Sequence, residues 1–110
     1  MPQTYYVYVI RCKTAGHYYV GSTNNLERRV QQHIFGMEKG GAEFTEAHGV
    51  DCVVHVEEVG SKEAAEERER ELTLEYMRRY GVAFVAGAEF CELWKNYSVD
   101  LDNGEKIFFD

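Results

Sequence analysis

The stretch YYVGSTNNLERRVQQH, residues 18–33, ends a strand-like run in Tyr-Val-Gly, passes through small polar residues and opens a helix. That helix carries Arg29 and His33 one turn apart. A small-residue turn into a helix, followed by a guanidinium and an imidazole, is a layout that can hold a phosphate. With about 100° between successive helical residues, Leu26, Val30 and Ile34 form a narrow apolar stripe, and Arg29 and His33 lie about 100° and 60° from its centre. Arg28 lies about 160° away and faces water. Two readings stay open for Arg29: a stem lying over the core with its head in water, or a guanidinium reaching into a cleft.

A carboxylate is the second chemical candidate. In SKEAAEERERELTLEYMRRYG, residues 61–81, Ala65, Leu72, Tyr76 and Tyr80 make one inward arc, and Glu69 falls in its middle. Glu66, Glu67, Glu71 and Glu75 lie at least about 80° from Ala65 and read as solvated. A carboxylate aimed at a core is costly without a partner. Glu69 therefore either pairs with an arginine such as Arg29 or holds a hard divalent ion, and periodicity does not choose between them. The tyrosines are the third candidate: eight in the chain, five of them (Tyr5, Tyr6, Tyr8, Tyr18 and Tyr19) on one expected hairpin. Most read as packing. A phenol can orient or deprotonate a water only where a cation lowers its pKa.

The elements that must position these groups follow from the same pattern. TYYVYVIRC (4–12) is apolar on both alternating sets and reads as a central strand buried on two faces. KTAG turns it, with Gly16 free to take positive φ, and HYYVGS returns as the second strand. Thr23 or Asn24 can cap the first helix, and Gly36 stops it. The Gly-rich run GMEKGGAEFTEAHG reads as a loop, and VDCVVHVEEV (50–59) as the third strand. The long helix 61–81 follows, capped by Ser61 and closed by Gly81, with Arg78 and Arg79 suited to its C-terminal end. Asn103-Gly104 between β-like runs signals a C-terminal hairpin. The expected fold is α+β: a small three-stranded antiparallel sheet flanked by helices in the order β-β-α-β-α, spanning residues 1–85, with an extension over 86–110 packed on the same domain.

Composition sets bounds on all of this. With 45% hydrophobic and 14% aromatic residues and a single proline, the chain is a folded globule of one-domain length. No apolar run approaches bilayer length, and MPQTYYVYVI lacks a basic n-region and a cleavage site. The expectation is a cytoplasmic protein, or a nuclear one in a eukaryotic or viral host, neither secreted nor bound to membrane. Cys12, Cys52 and Cys91 are widely spaced, show no zinc pattern and read as small hydrophobes in a reducing compartment. The net charge of −7 is unevenly spread: +3 over residues 1–39 and −10 over residues 40–110. Any phosphate contact therefore belongs to the first third.

Taken together these residues resemble the GIY-YIG nuclease family. Its first motif stands here as YVY (6–8), with Tyr8 in the tyrosine's place, and its second as YVG (19–21), with Tyr19. The stretch YVGSTNNLERRVQQH is similar to small stand-alone bacterial, phage and viral members. The resemblance covers residues 4–81 and implies phosphodiester hydrolysis with one Mg²⁺ or Mn²⁺. It implies that Arg29 contacts the phosphate, that His33 stands near the reacting water, and that Glu69, on the later long helix, holds the ion. Tyr8, or in its place Tyr19, would orient or deprotonate the water. Gly21, Ser22, Asn24, Arg28 and Arg29 would line the DNA contact.

The chain departs from related sequences in two runs. In FVAGA (84–88), Phe84, Ala86 and Ala88 replace an Asn, an Arg and a second Gly, and GGAEFTEAHG carries Glu43, Glu46 and Ala47 where basic and aromatic residues are common. Two functions are therefore weighed. One is a divalent-metal-dependent endonuclease acting on branched, nicked or duplex DNA. The other is a catalytically weak binding or adaptor module working through protein partners. A homodimer, or a protein partner that supplies affinity, fits either.

Overall fold

The structure is a computed structural model that describes residues 4–36, 41–90, 97–99 and 106–108. Strand β1 (Tyr5–Arg11) forms because its β-branched and aromatic residues can be buried on both faces: Val7, Tyr8, Val9 and Ile10 are all fully buried. It turns at Gly16, whose φ of 75° needs a residue without Cβ, and pairs antiparallel with β2 (Tyr18–Thr23). In that register Tyr8 stands opposite Gly21 and Ile10 opposite Tyr19. Helix α1 (Leu26–Phe35) follows at once. Its N-cap is Asn25, whose side chain accepts from the Arg28 N–H, one or two residues beyond the caps expected at Thr23 and Asn24. Thr23 instead ties the turn, its hydroxyl accepting from the Asn25 N–H at 3.1 Å.

Two expectations fail in the next segment. The run read as loop contains helix α2 (Glu43–His48), closed by Gly49 and anchored by buried Phe44 and Thr45. The stripe expected to face inward from α1 is also rotated: Ile34 is 57% exposed, whereas His33 is fully buried. The inner direction of α1 runs through Leu26, Val30 and His33, about 30° from the centre of the apolar stripe, because α2 offers His33 a hydrogen-bonding partner.

Strand β3 (Cys52–Val59) pairs antiparallel with the other edge of β1. Helix α3 (Lys62–Tyr80) is capped as expected, the Ser61 side chain accepting from the Ala64 N–H and the Gly81 N–H reaching the Met77 carbonyl. The sheet is not three-stranded. A fourth strand, β4 (Val85–Gly87), pairs parallel with β2, so the order is β3-β1-β2-β4 and the sheet is mixed. Val7, Val9, Val20 and Val85 face α3 through Ala65, Leu72 and Met77. On the other face Tyr8, Ile10, Cys12 and Tyr19 pack with Phe44 of α2 and Leu26 of α1. The result is a three-layer α+β domain with its helices on both faces of one sheet.

Two three-residue strands, β5 (Tyr97–Val99) and β6 (Lys106–Phe108), pair antiparallel apart from the main sheet. The Asn103-Gly104 turn that suggested a C-terminal hairpin lies outside the described residues, as does Cys91. Cys12 is buried, Cys52 half-buried, and both are free thiols. Among the described residues no helix is long and apolar enough to cross a membrane.

Candidate active site

The candidate residues converge where β2 runs out into α1. Tyr8 points across to β2, its ring over Gly21. A Cβ on residue 21 would sit 2.6 Å from Tyr8 Cζ and closer still to its Oη. Gly21 therefore makes room for a buried phenol, a requirement the sequence pattern did not reveal. The Tyr8 hydroxyl meets His33 Nε2 at 2.9 Å. On the far side of the imidazole, His33 Nδ1 lies 2.8 Å from the Thr45 hydroxyl, which in turn donates to the Ala42 carbonyl at 3.1 Å. Tyr19 closes the group, its ring centroid 4.7 Å from that of His33 and 6.5 Å from that of Tyr8.

Arg29 joins this cluster from α1. Its charge acts on both Tyr8 and Tyr19, and its Nη1 donates to Gln32 Oε1 at 3.1 Å. Burial works against its charge, but the two phenols hold its pKa above the usual arginine value. Arg29 is half-buried on α1. Arg28, one residue earlier, is exposed on the outer face beside Gln31, Gln32 and Phe35, and Asn24 is exposed in the turn before the helix.

Glu69 comes to the same place from the other side of the sheet. It is the only one of the six glutamates on α3 that is not fully exposed. The backbone N–H of Ser22, the residue after Gly21, and the Arg29 charge both act on its carboxylate and favour its ionised form. Its position depends on close contact between helix and sheet one turn later. The Thr73 hydroxyl donates to the Glu69 carbonyl at 2.6 Å, and Thr73 packs so tightly on Gly87 of β4 that a Cβ there would lie 2.5 Å from Thr73 Oγ1.

Electrostatics set the resting protonation of the group. Burial, reinforced by the Tyr19 phenol, pushes the Tyr8 hydroxyl well above its ordinary value, so it rests as a neutral phenol. Burial and then the Arg29 charge pull His33 down to about 4, so it is a neutral imidazole at pH 7. Burial and then the nearby Glu66 push Glu69 up to about 7, against the opposing pull of the Ser22 N–H and Arg29. A desolvated carboxyl at the edge of a cleft, held half in the acid form, gains most from a cation.

The departures from the family pattern border this cluster: Ala86 pairs with Tyr19 in the sheet and packs with Tyr8, and Ala88 lines the groove beside Glu69. Ala86 is fully buried, and Phe84 packs its ring 5.0 Å from His17. Among the described residues Ala88 is the one other than glycine with positive φ, at 46°. Glu43, Glu46 and Ala47 are exposed on α2. Several cations elsewhere are neutralised by acids: Arg11 by Asp51 at 2.7 Å, Arg68 by Glu57 at 2.9 Å, and Arg70 by Glu89. A groove of about 590 Å³ beside Glu69 is lined by Glu63, Glu66, Glu67, Arg70 and Glu89.

The GIY-YIG catalytic-domain model matches residues 4–80, the segment that holds Tyr8, Tyr19, Arg29, His33, Thr45 and Glu69. The chain belongs to the GIY-YIG family. It is 40% identical over 72 residues to a UPF0213 protein of Natronomonas pharaonis, covering 66% of this chain and 80% of that one. It is 38% identical over 69 residues to a UPF0213 protein of Oceanobacillus iheyensis, covering 63% and 76%. A more distant relative is a structure-specific endonuclease subunit, SLX1, of Phaeosphaeria nodorum: 45% identical over 59 residues, covering 49% of this GIY-YIG chain but 16% of that protein. No solved structure matches the chain. Thr45, the partner of His33, was missed in the sequence because it sits on a helix too short to show a period.

Proposed function

We propose that this GIY-YIG domain is a divalent-metal-dependent endonuclease that hydrolyses DNA phosphodiester bonds, acting on branched or nicked DNA or as a weakly specific nickase. The observation that carries this reading is the meeting of Glu69 from α3 with Arg29 from α1 beside the Tyr8–His33 pair. Glu69 fits a Mg²⁺ or Mn²⁺ ligand: a lone, half-buried carboxyl raised by desolvation, of the kind that holds a hard ion together with waters and substrate oxygens. Among the described residues no group of three or more His, Cys, Asp or Glu forms a closed cage. A bound divalent ion supplies polarisation of a phosphate oxygen and neutralisation of charge on it.

The chain's own residues supply the rest. Arg29 offsets charge developing on the phosphate. In the resting state its guanidinium is engaged by the two phenols, and its transfer to a phosphate would open the Tyr8 hydroxyl to a water. The water oxygen attacks phosphorus and gives a proton to Tyr8 Oη, while the Tyr8 hydroxyl proton passes to His33 Nε2. The P–O bond to the leaving oxygen breaks as the new one forms. Tyr19 keeps Arg29 placed. Ser22, Asn24 and Arg28 border the path a strand would follow out of the site. A second reading, an adaptor module acting through protein partners, is favoured by the acidic groove beside Glu69 and by the neutralised Arg11, Arg68 and Arg70, all of which weaken attraction for a polyanion.

The test is cleavage of a panel of branched, nicked and linear DNAs with Mg²⁺ or Mn²⁺. The nuclease reading expects products from the wild type that vanish in both Glu69→Ala and Arg29→Ala. If the wild type leaves every substrate intact, the adaptor reading stands instead.

A further inference from the structure

Thr45 touches neither phosphate nor water in any reading above, yet it is fully buried against the base-side imidazole. Its hydrogen bonds can be counted. A threonine hydroxyl has one proton to give and lone pairs to receive with. The Ala42 carbonyl, 3.1 Å away, can only accept, so the Thr45 proton is used there. Thr45 Oγ1 can then take part in the 2.8 Å contact with His33 Nδ1 only as acceptor, and Nδ1 must carry the proton. A neutral imidazole protonated at Nδ1 presents a lone pair at Nε2. That lone pair faces the Tyr8 hydroxyl at 2.9 Å, so Tyr8 donates to His33.

The opposite assignment satisfies fewer groups. With the proton on Nε2, the imidazole would donate to Tyr8 Oη. The Tyr8 hydroxyl proton would lose its acceptor. The Thr45 proton would have to turn to Nδ1, leaving Oγ1 and the Ala42 carbonyl, which keeps only the Glu46 N–H, as two oxygens 3.1 Å apart with no proton between them. Leaving the buried Tyr8 hydroxyl proton without an acceptor costs about 1–3 kcal/mol, and the close pair of oxygens adds repulsion, which decides the tautomer.

We propose that Thr45 is a positioning residue: it fixes His33 as the Nδ1–H tautomer, so that Nε2 is the proton acceptor for the Tyr8 hydroxyl. The proposal rests on the nuclease reading for its catalytic consequence, but the tautomer belongs to the protein alone. When Nε2 takes the Tyr8 proton, the resulting imidazolium keeps both N–H groups paired, Nδ1 to Thr45 and Nε2 to the phenol oxygen. Helix α2, absent from the sequence pattern, thereby acquires a duty: it carries the residue that sets the direction of the Tyr8–His33 hydrogen bond.

The experiment is long-range ¹H–¹⁵N correlation of the His33 ring at pH 7 in wild type, Thr45→Val and Thr45→Ser, with single-turnover DNA cleavage measured on the same samples. Wild type and Thr45→Ser should show a protonated Nδ1 and an unprotonated Nε2. Thr45→Val should lose that pattern in favour of the Nε2–H form. Cleavage should fall about 10²-fold in Thr45→Val, the low end of what a correctly placed base contributes, and Thr45→Ser should stay within a few-fold of wild type. A wild-type spectrum with the proton on Nε2 overturns the proposal, and it does so without any variant having to fold. So does a Thr45→Val protein that keeps the wild-type tautomer or the wild-type rate. If none of the proteins cleaves DNA while the tautomer changes as described, the positioning role stands and the nuclease reading falls.

Discussion

Replacing Gly21 by alanine puts one methyl where the structure has no space. The added Cβ would lie 2.6 Å from Tyr8 Cζ and 3.1 Å from Tyr19 Cε1, against about 3.5–4.0 Å for unstrained carbon contacts. The Tyr8 ring must therefore retreat by about 1 Å. It cannot do so and keep its 2.9 Å bond to His33, since hydrogen bonds beyond about 3.5 Å contribute little. Overpacking costs about 1–3 kcal/mol, and the lost buried hydrogen bond adds about 1 kcal/mol. The sum, about 2–4 kcal/mol, corresponds to a fall in Tm of roughly 10 °C or more for a domain of this size. Urea melts and calorimetry read it directly. Gly60→Ala is the internal control: nothing lies within 4 Å of a Cβ there, and the change should stay within about 0.5 kcal/mol. In a Tyr8→Phe background the nearest clashing atom is gone, so Gly21→Ala should cost about 1 kcal/mol less. Gly21→Ala at wild-type stability, or an equal cost in both backgrounds, would refute the claim that Gly21 exists to seat the Tyr8 phenol.

The two perturbed acids of the site act on stability in opposite directions. His33, lowered from 6.5 to about 4, favours the neutral form in the fold; its contribution, up to about 3 kcal/mol, is whole above pH 6.5 and is lost as pH falls toward 4. Glu69, raised from 4.5 to about 7, favours the protonated form; its contribution is whole below pH 4.5 and is lost as pH rises to 7, about 1–2 kcal/mol after allowing for its partial exposure to water. Wild-type stability should therefore vary little between pH 4.5 and 6.5, whereas Glu69→Gln should be more stable than wild type at pH 8 and lose stability steeply on acidification; parallel denaturation profiles would contradict this. Ala88→Gly should stabilise the domain by about 1 kcal/mol or less, because φ of 46° penalises a side chain that glycine lacks. A drop in Tm for that variant would show that the Ala88 methyl contributes more than its backbone costs.

What the sequence disclosed depended on contradiction within a pattern. Strand β1 was legible because both of its alternating sets are apolar, which only a doubly covered strand tolerates. Glu69 was legible because a charge in the middle of an apolar arc needs a reason. His33 misled the same method. Counted as polar, it shifted the expected inner face of α1 toward Ile34, yet it is the buried residue, because Tyr8 and Thr45 satisfy both of its nitrogens. Helix α2 has six residues between Ala42 and Gly49, too few to display a period, so Thr45 stayed hidden and only Phe44 hinted at an anchor. Strand β4 is three residues long and pairs with a strand some 65 positions earlier, a contact no local pattern encodes. The first N-cap was placed early because Thr23, Asn24 and Asn25 are all residue types that cap.

In the proposed function Glu69 holds a divalent ion for phosphodiester cleavage beside Arg29 and the Tyr8–His33 pair. Nicking of supercoiled plasmid at pH 8, followed against Mg²⁺ concentration for wild type and Glu69→Gln, tests it most directly. The account predicts saturable, Mg²⁺-dependent nicking by wild type and a loss of about 10²-fold or more in the variant. Equal nicking by the two proteins, or wild-type nicking that persists in EDTA, would contradict it.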